Sequence, residues 1–263
     1  MPDSRPLVGI IGTGMIGASI GLRARDFGWS VVGYDSDPRA AEEAARGGAI
    51  DRAASREEIN ERAEIIVIAA HISGTLAQIE HMRLNRPQAA RLIVDVSSVK
   101  APIVAAARGL KHFVPTHPMA GRERSGPAAA TADVFEGRTW LYVPTGDREL
   151  DWRAVEFIGA FGAIPVEVDA AEHDCIVAFT SHLPQVVATL FAMRLRSRDF
   201  ERVEAFMGPT ARELLRLSHS SADMWRDILT ANKENICAQL RGLADDLERT
   251  AAALEAGGFP LPF

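Results

Sequence analysis

Cysteine is almost missing from this chain: Cys175 and Cys237 are the only two in 263 residues. They are too few and too far apart for a disulfide framework or a cysteine-based zinc site, and they fit a reducing compartment, so a cytoplasmic location is expected. Basic tracts are missing too. The net charge of -6 and a sequence pI near 5.7 argue against a nucleic-acid partner, because affinity for a polyanion rests on excess Lys and Arg. No apolar stretch approaches the ~20 residues of a membrane span, and the polar start, 1–6, runs into an apolar strand without a signal peptide, so no membrane partner is expected. Low-complexity segments and repeats of solenoid length are absent. His81, His112 and His219 show no metal-ligand spacing, and no metal is expected. What remains is a chain that is 47% hydrophobic, long enough for one large domain or two modest ones.

Val8-Gly9-Ile10-Ile11-Gly12-Thr13-Gly14-Met15-Ile16-Gly17 reads as strand, tight turn and helix start. In such a turn Gly12 permits the sharp exit from the strand, Gly14 lets the backbone approach a pyrophosphate, and Gly17 lets the helix pack close to the strand. A second strand, 30–34, delivers Asp35 at about the 20-residue spacing expected of a carboxylate that binds a ribose 2′-hydroxyl. The same carboxylate repels a 2′-phosphate, so NAD is the expected cofactor, held by Gly12, Gly14, Met15, Ile16, Gly17 and Asp35.

Short β-rich runs alternate with helical patterns through the first two-thirds, the mark of a doubly wound, mostly parallel α/β sheet. The expected strands are 7–11, 30–34, 64–69, 91–94, 112–115, 139–143 and 164–168. Asp37-Pro38 and 149–161 open helices between them. Beyond Val168 the strands stop. Asp169 can cap a long apolar helix kinked at Pro184, Pro209 can open a shorter one, and Ser220 or Ser221 can cap a last helix of about 35 residues and ~50 Å ending near Gly257-Gly258. So long a helix carrying Ile228, Ile236, Leu240, Leu243 and Leu247 needs an apolar partner. The expected division is a sheet domain, 1–168, and a helical domain, 169–263.

Ligands of open α/β sheets gather at the carboxyl ends of the strands, which directs attention to the residues just after them. Asp95-Val96-Ser97-Ser98-Val99-Lys100 follows one strand and Thr116-His117-Pro118-Met119-Ala120-Gly121-Arg122-Glu123 another. His117 is the candidate base, since imidazole titrates near neutrality, and Ser98 can orient it by a hydrogen bond. Asp95 and Lys100 equally suit a structural pair at a helix start. His71, after another strand, can border the cofactor. In the helical part His182 precedes the kink, where it either lines a cleft or sits satisfied in the core; His173 shares its pocket only if the helix bends or different subunits contribute. Arg216, within Leu214-Leu215-Arg216-Leu217, needs a carboxylate if buried there, from the protein or from an anionic substrate.

These motifs, with Met224-Trp225-Arg226-Asp227 and Asn232-Lys233-Glu234-Asn235, make the chain resemble the prephenate dehydrogenases of tyrosine biosynthesis over nearly its whole length. The resemblance implies a Rossmann NAD domain joined to a helical domain that forms a homodimer. It implies that His117 takes the proton of the substrate C4 hydroxyl, with Ser98 holding it and approaching the nicotinamide. It makes Glu123 a gating acid, His182 a cleft residue and Arg216 the clamp of a substrate carboxylate. Arg122 stands where many relatives have a small polar residue. A cation there suits a carboxylate better than an ammonium group, which favours prephenate over L-arogenate or 4-amino-4-deoxyprephenate. Gln185 replaces a histidine of some relatives, and with the sequence ending at Phe263 no appended regulatory domain or fused chorismate mutase is expected. Two other readings compete. A β-hydroxyacid dehydrogenase would need a catalytic lysine where this chain has His182, and a non-catalytic NAD sensor would not need His117, His182 and Arg216.

Overall fold

The computed structural model describes residues 5–121, 126–196 and 200–259. The chain divides into two compact units, Met1–His173 and Asp174–Phe263, a few residues beyond the expected break after Val168.

The first unit is built on six strands: β1 (Leu7–Ile11), β2 (Ser30–Tyr34), β3 (Arg52–Ala53), β4 (Ile65–Ile68), β5 (Leu92–Asp95) and β6 (Phe113–Val114). All neighbours pair in parallel in the order β3-β2-β1-β4-β5-β6. This is the doubly wound order whose reversal, between β1 and β4, opens a crevice at the carboxyl edge. Strands β1, β4 and β5 are continuous apolar runs because helices cover both faces, and Val8, Ile10, Ile66, Val67, Ile93 and Val94 are fully buried. Side chains start the intervening helices. Asp37 accepts from Arg39 N at 3.1 Å ahead of Pro38–Arg46, and Ser55 accepts from Glu58 N at 3.1 Å ahead of Arg56–Arg62.

The expected strands at 139–143 and 164–168 do not extend this sheet. They form a second sheet of three strands, β7 (Thr116–Pro118), β8 (Thr139–Tyr142) and β9 (Ile164–Glu167), with β7 antiparallel to β8 and β8 parallel to β9. Pro115, which has no N–H to give a ladder, separates β6 from β7, and its carbonyl accepts from Val143 N at 2.9 Å. The chain thus changes sheets immediately before His117. Trp140, Phe135, Phe157 and Phe161 pack together as buried aromatics between this second sheet and the helix Arg148–Ala160.

The second unit is helical, and two of its expected helices are broken. The apolar run after Asp169 is an α-helix (Ala170–Val177), a π-helical turn (Ala178–His182) and a second α-helix (Leu183–Arg196). Pro184 explains the widened turn, because it lacks an N–H and its ring crowds the preceding carbonyls. The expected single helix of about 35 residues is two, Ala222–Ala231 and Lys233–Glu255, interrupted at buried Asn232. By length and composition Ala170–Arg196, 27 residues containing an 18-residue window of mean hydropathy 1.5, is long and apolar enough to cross a membrane, contrary to the sequence expectation. Of that window 28% is buried, and Phe179, Leu190 and Met193 stay exposed by half or more.

Candidate active site

Parallel pairing brings the residues after β1, β2, β4, β5 and β6 to one edge of the large sheet. After β1, Gly12 has φ +98, and a Cβ on it would stand 2.4 Å from the Ala69 carbonyl oxygen. A Cβ on Gly17 would stand 1.9 Å from the Gly12 oxygen, so the helix Met15–Asp26 can approach the turn only through a glycine. Gly14 differs: a Cβ there would meet nothing within 4 Å. That open space lies at a helix N-terminus, where the first N–H groups have no intrahelical acceptor and the dipole favours an anion. Asp35, after β2, is tied to the same turn. Its Oδ2 accepts from Thr13 N at 2.7 Å and from Thr13 Oγ1 at 3.2 Å, and its Oδ1 accepts from Asp37 N at 3.0 Å. Each carboxylate oxygen has further acceptor capacity, so the fixed, half-buried Asp35 can still receive a hydroxyl hydrogen. The turn and this acceptor together fit a dinucleotide. His71, after β4, is exposed and stands at the N-terminus of the helix Ile72–Leu84 without a side-chain capping hydrogen bond.

After β5 the chain buries a charged pair. Lys100 and Asp95 are 1% and 0% exposed, with Lys100 Nζ 2.6 Å from Asp95 Oδ2. Desolvating two charges is offset only when their remaining hydrogen-bonding capacity is met. Here Lys100 also donates to the Thr116 carbonyl at 2.6 Å, while Asp95 accepts from Thr116 N at 3.0 Å and Ser97 N at 2.9 Å. Trp140 Nε1 then donates to Thr116 Oγ1 at 2.9 Å, and that hydroxyl donates to the Asp95 carbonyl. The structural reading of Asp95 and Lys100 holds. The pair clamps the residue before His117 from three sides.

His117 is half-buried on β7, and its Nδ1 lies 2.9 Å from Nε2 of His173. The expected Ser98–His117 hydrogen bond is absent among the described residues, and His173 occupies the orienting position instead. The sequence allowed His173 to share a pocket with His182 only if the helix bends or different subunits contribute. Asp169 Oδ1 caps the helix that carries His173 by accepting from Ala171 N and Glu172 N at 2.8 and 3.2 Å.

In the helical unit His182 is buried at 1% exposure. Its Nδ1 is 3.3 Å from Asn232 Nδ2, and its ring meets Trp225 edge-on at 5.8 Å. This is the surrounding of a satisfied core histidine rather than of a cleft residue. Asn232 also donates to the Asp174 carbonyl at 2.7 Å, which accounts for a polar residue buried at a helix break. Gln185 donates to the Leu217 carbonyl at 2.8 Å, a helix C-terminal contact. Arg216 is not buried as its leucine neighbours suggested. Its side chain is 41% exposed, it pairs with Glu213 one turn earlier, and Nε donates to Glu213 Oε2 at 3.0 Å. That hydrogen bond holds the Glu213 carboxyl below its ordinary pKa. Glu123 and Arg122 lie outside the described residues.

Comparison with known proteins agrees with this architecture over both units. The family model described as "Prephenate dehydrogenase, nucleotide-binding domain" matches residues 18–161, and "Prephenate dehydrogenase, dimerization domain" matches 169–259. The probable prephenate dehydrogenase NovF of Streptomyces niveus is 36% identical over 248 residues, which cover 90% of this chain and 66% of the relative. The prephenate dehydrogenase of Bacillus subtilis is 32% identical over 249 residues, 90% of this chain and 67% of the relative. The chain therefore spans about two-thirds of the length of these curated relatives. The solved prephenate dehydrogenase of Aquifex aeolicus shares the fold, with a TM-score of 0.90 at 24% identity over 98% of this chain and 93% of that one. With both domains matched in order on a single chain, this protein belongs to the prephenate dehydrogenase family.

Proposed function

We propose that the chain catalyses the NAD-dependent oxidative decarboxylation of prephenate to 4-hydroxyphenylpyruvate, a step of tyrosine biosynthesis. The observation that carries the reading is His117, held by a buried charged clamp just after β6 of the sheet whose β1 leads into the glycine turn, in a chain of this family. NAD, when bound, supplies the hydride acceptor for the substrate C4–H. His117 takes the C4 hydroxyl proton, and the dienone that results loses carbon dioxide readily because the ring becomes aromatic. The rest of the protein's work is positioning. Residues 1–168 form the cofactor domain, in which Gly12, Gly14, Met15, Ile16, Gly17 and Asp35 hold NAD, and Ser98 borders the nicotinamide. In the helical domain, 169–263, Arg216 exchanges Glu213 for a substrate carboxylate. The charge of Arg122 favours prephenate over arogenate. A cytoplasmic setting suits the free, exposed Cys175 and Cys237.

Absorbance at 340 nm with NAD and either prephenate or L-arogenate tests the reaction. Turnover of prephenate is expected; turnover of arogenate alone overturns the substrate assignment, and NAD binding with no turnover overturns the enzymatic one.

Two glycine variants test the cofactor turn. Gly14→Ala should keep the parent melting temperature yet lose NAD affinity by a factor on the order of 10 or more, since its methyl group fills open space meant for phosphate. Gly17→Ala should melt at a lower temperature, because its methyl group meets a backbone carbonyl. Calorimetric titration and thermal melts separate the two, and a Gly14→Ala protein with parental NAD affinity removes the phosphate from this turn.

The helical domain forms a homodimer in this reading. Its own buried apolar residues are few, among them Val177, Ala178, Ala188, Ala192, Met207, Ile228 and Ile236, while Ile176, Phe179, Leu190, Met193, Leu247 and Leu254 stay exposed. A second copy covers such a surface, including the apolar face of Ala170–Arg196. Light scattering should give twice the chain mass, and an active monomer at micromolar concentration excludes this.

A further inference from the structure

We propose that His173 is a positioning residue that selects which ring nitrogen of His117 takes the substrate proton; this rests on reading His117 as the base. His173 stands in the first turn of Ala170–Val177. Asp169 fixes that turn through its side-chain cap, and His173 N donates to the Asp169 carbonyl at 2.8 Å. The ring is 1% exposed, so its own position is set by packing and bulk water does not compete for the contact. Its Nε2 meets His117 Nδ1 at 2.9 Å, with ring centroids 5.1 Å apart and planes at 65°.

At that distance one of the two nitrogens carries the hydrogen and the other the lone pair. If His173 Nε2–H were the donor, neutral His117 would carry its hydrogen on Nε2, and its one lone pair would be spent on His173. Such a ring accepts no proton from a substrate. With the hydrogen on His117 Nδ1, donated to His173 Nε2, the lone pair of His117 is at Nε2 and the ring is a competent base. His173 therefore acts as an acceptor that holds the reactive tautomer.

The same contact steadies the product of proton transfer. As the hydride leaves C4 for NAD, the electron pair of the substrate O–H bond becomes the second bond of the C4 carbonyl, and the proton forms an N–H bond at His117 Nε2. The Nδ1–H donor is then on a cation, and a charge-assisted hydrogen bond is roughly twice as strong as a neutral one. As the acceptor at Nε2, His173 carries its own hydrogen on Nδ1. The dyad takes up one proton and returns one.

Glutamine places a carbonyl oxygen near where histidine carries Nε2, and leucine places none. His173→Leu should lower kcat by a factor on the order of 10 to 10³, less than loss of the base itself, with KM for prephenate within about threefold of the parent. His173→Gln should recover kcat to within about threefold. Nitrogen-15 NMR of the parent protein, which needs no variant to fold, should show His117 protonated at Nδ1 and bare at Nε2. Bare Nδ1 on His117 overturns the proposal, as does a folded His173→Leu protein with parental kcat or a His173→Gln protein as impaired as His173→Leu. His117→Asn tests the underlying reading separately. If it keeps the parent rate, the base assignment fails whatever His173 does. If it is impaired, His173→Leu on that background should lower kcat no further, and an additional loss overturns the coupling.

Discussion

Replacing His117 by asparagine should lower kcat by about 10²- to 10⁴-fold, the usual share of general base catalysis, with little change in the binding of NAD or prephenate. Asparagine is close in size to the inner half of the imidazole and keeps an amide near Nδ1, so the contact with His173 at 2.9 Å can persist. What it lacks is a lone pair basic enough to take a hydroxyl proton. The backbone of the site should not respond, because β7 is held by pairing with β8, His117 opposite Leu141 and Pro118 opposite Trp140, and by the clamp on Thr116. Steady-state kinetics and a titration with NAD decide the matter. A variant within threefold of the parent rate refutes the base assignment, and one that also loses NAD affinity shows that the substitution has disturbed the sheet edge.

How much of this was legible in the sequence depends on how far each signal reaches along the chain. The glycine turn, Asp35 and the large sheet's long strands are local patterns, and they stand where spacing put them. The two residues of β3 are too few to show a period. The strands β8 and β9 have the composition of strands but carry no mark of which sheet they join, and that choice is made at Pro115, where the ladder loses a donor. His173 is 56 residues from the ring it meets, and nothing in a linear reading links the two. The partner of Arg216 was left open for a different reason. The leucines around it suggested burial, yet Glu213 stands one helical turn away, and an (i, i+3) pair on an amphipathic helix was the simpler account. Asn232 broke the last helix for a reason invisible in propensity: its amide serves the Asp174 carbonyl and the ring of His182, far back in the chain.

The buried clamp leads to the largest expected loss of stability. Lys100→Met keeps the length and the apolar stem of the side chain but removes the ammonium group that faces Asp95 Oδ2 at 2.6 Å. A buried ion pair adds little when compared with an apolar pair of the same shape, because desolvation offsets most of the attraction. Removing one partner is another matter, since it leaves a carboxylate without a counter-charge at a site of 0% exposure and typically costs about 3–5 kcal/mol. Asp95 would keep two backbone donors, Ser97 N and Thr116 N, which places the expected loss toward the lower end of that range. The Thr116 carbonyl loses its donor in the same step, so the residue next to His117 loosens and kcat should fall along with stability. Chemical denaturation followed by circular dichroism measures the first effect and steady-state kinetics the second. The second substitution Asp95→Leu, added to Lys100→Met, should restore part of the stability by removing the stranded charge, though not the activity, because Thr116 N and Ser97 N would then lack their acceptor. If Lys100→Met alone costs less than about 1 kcal/mol, the order seen for exposed pairs, the pair is not a clamp, and the placement of His117 rests on β7–β8 pairing alone.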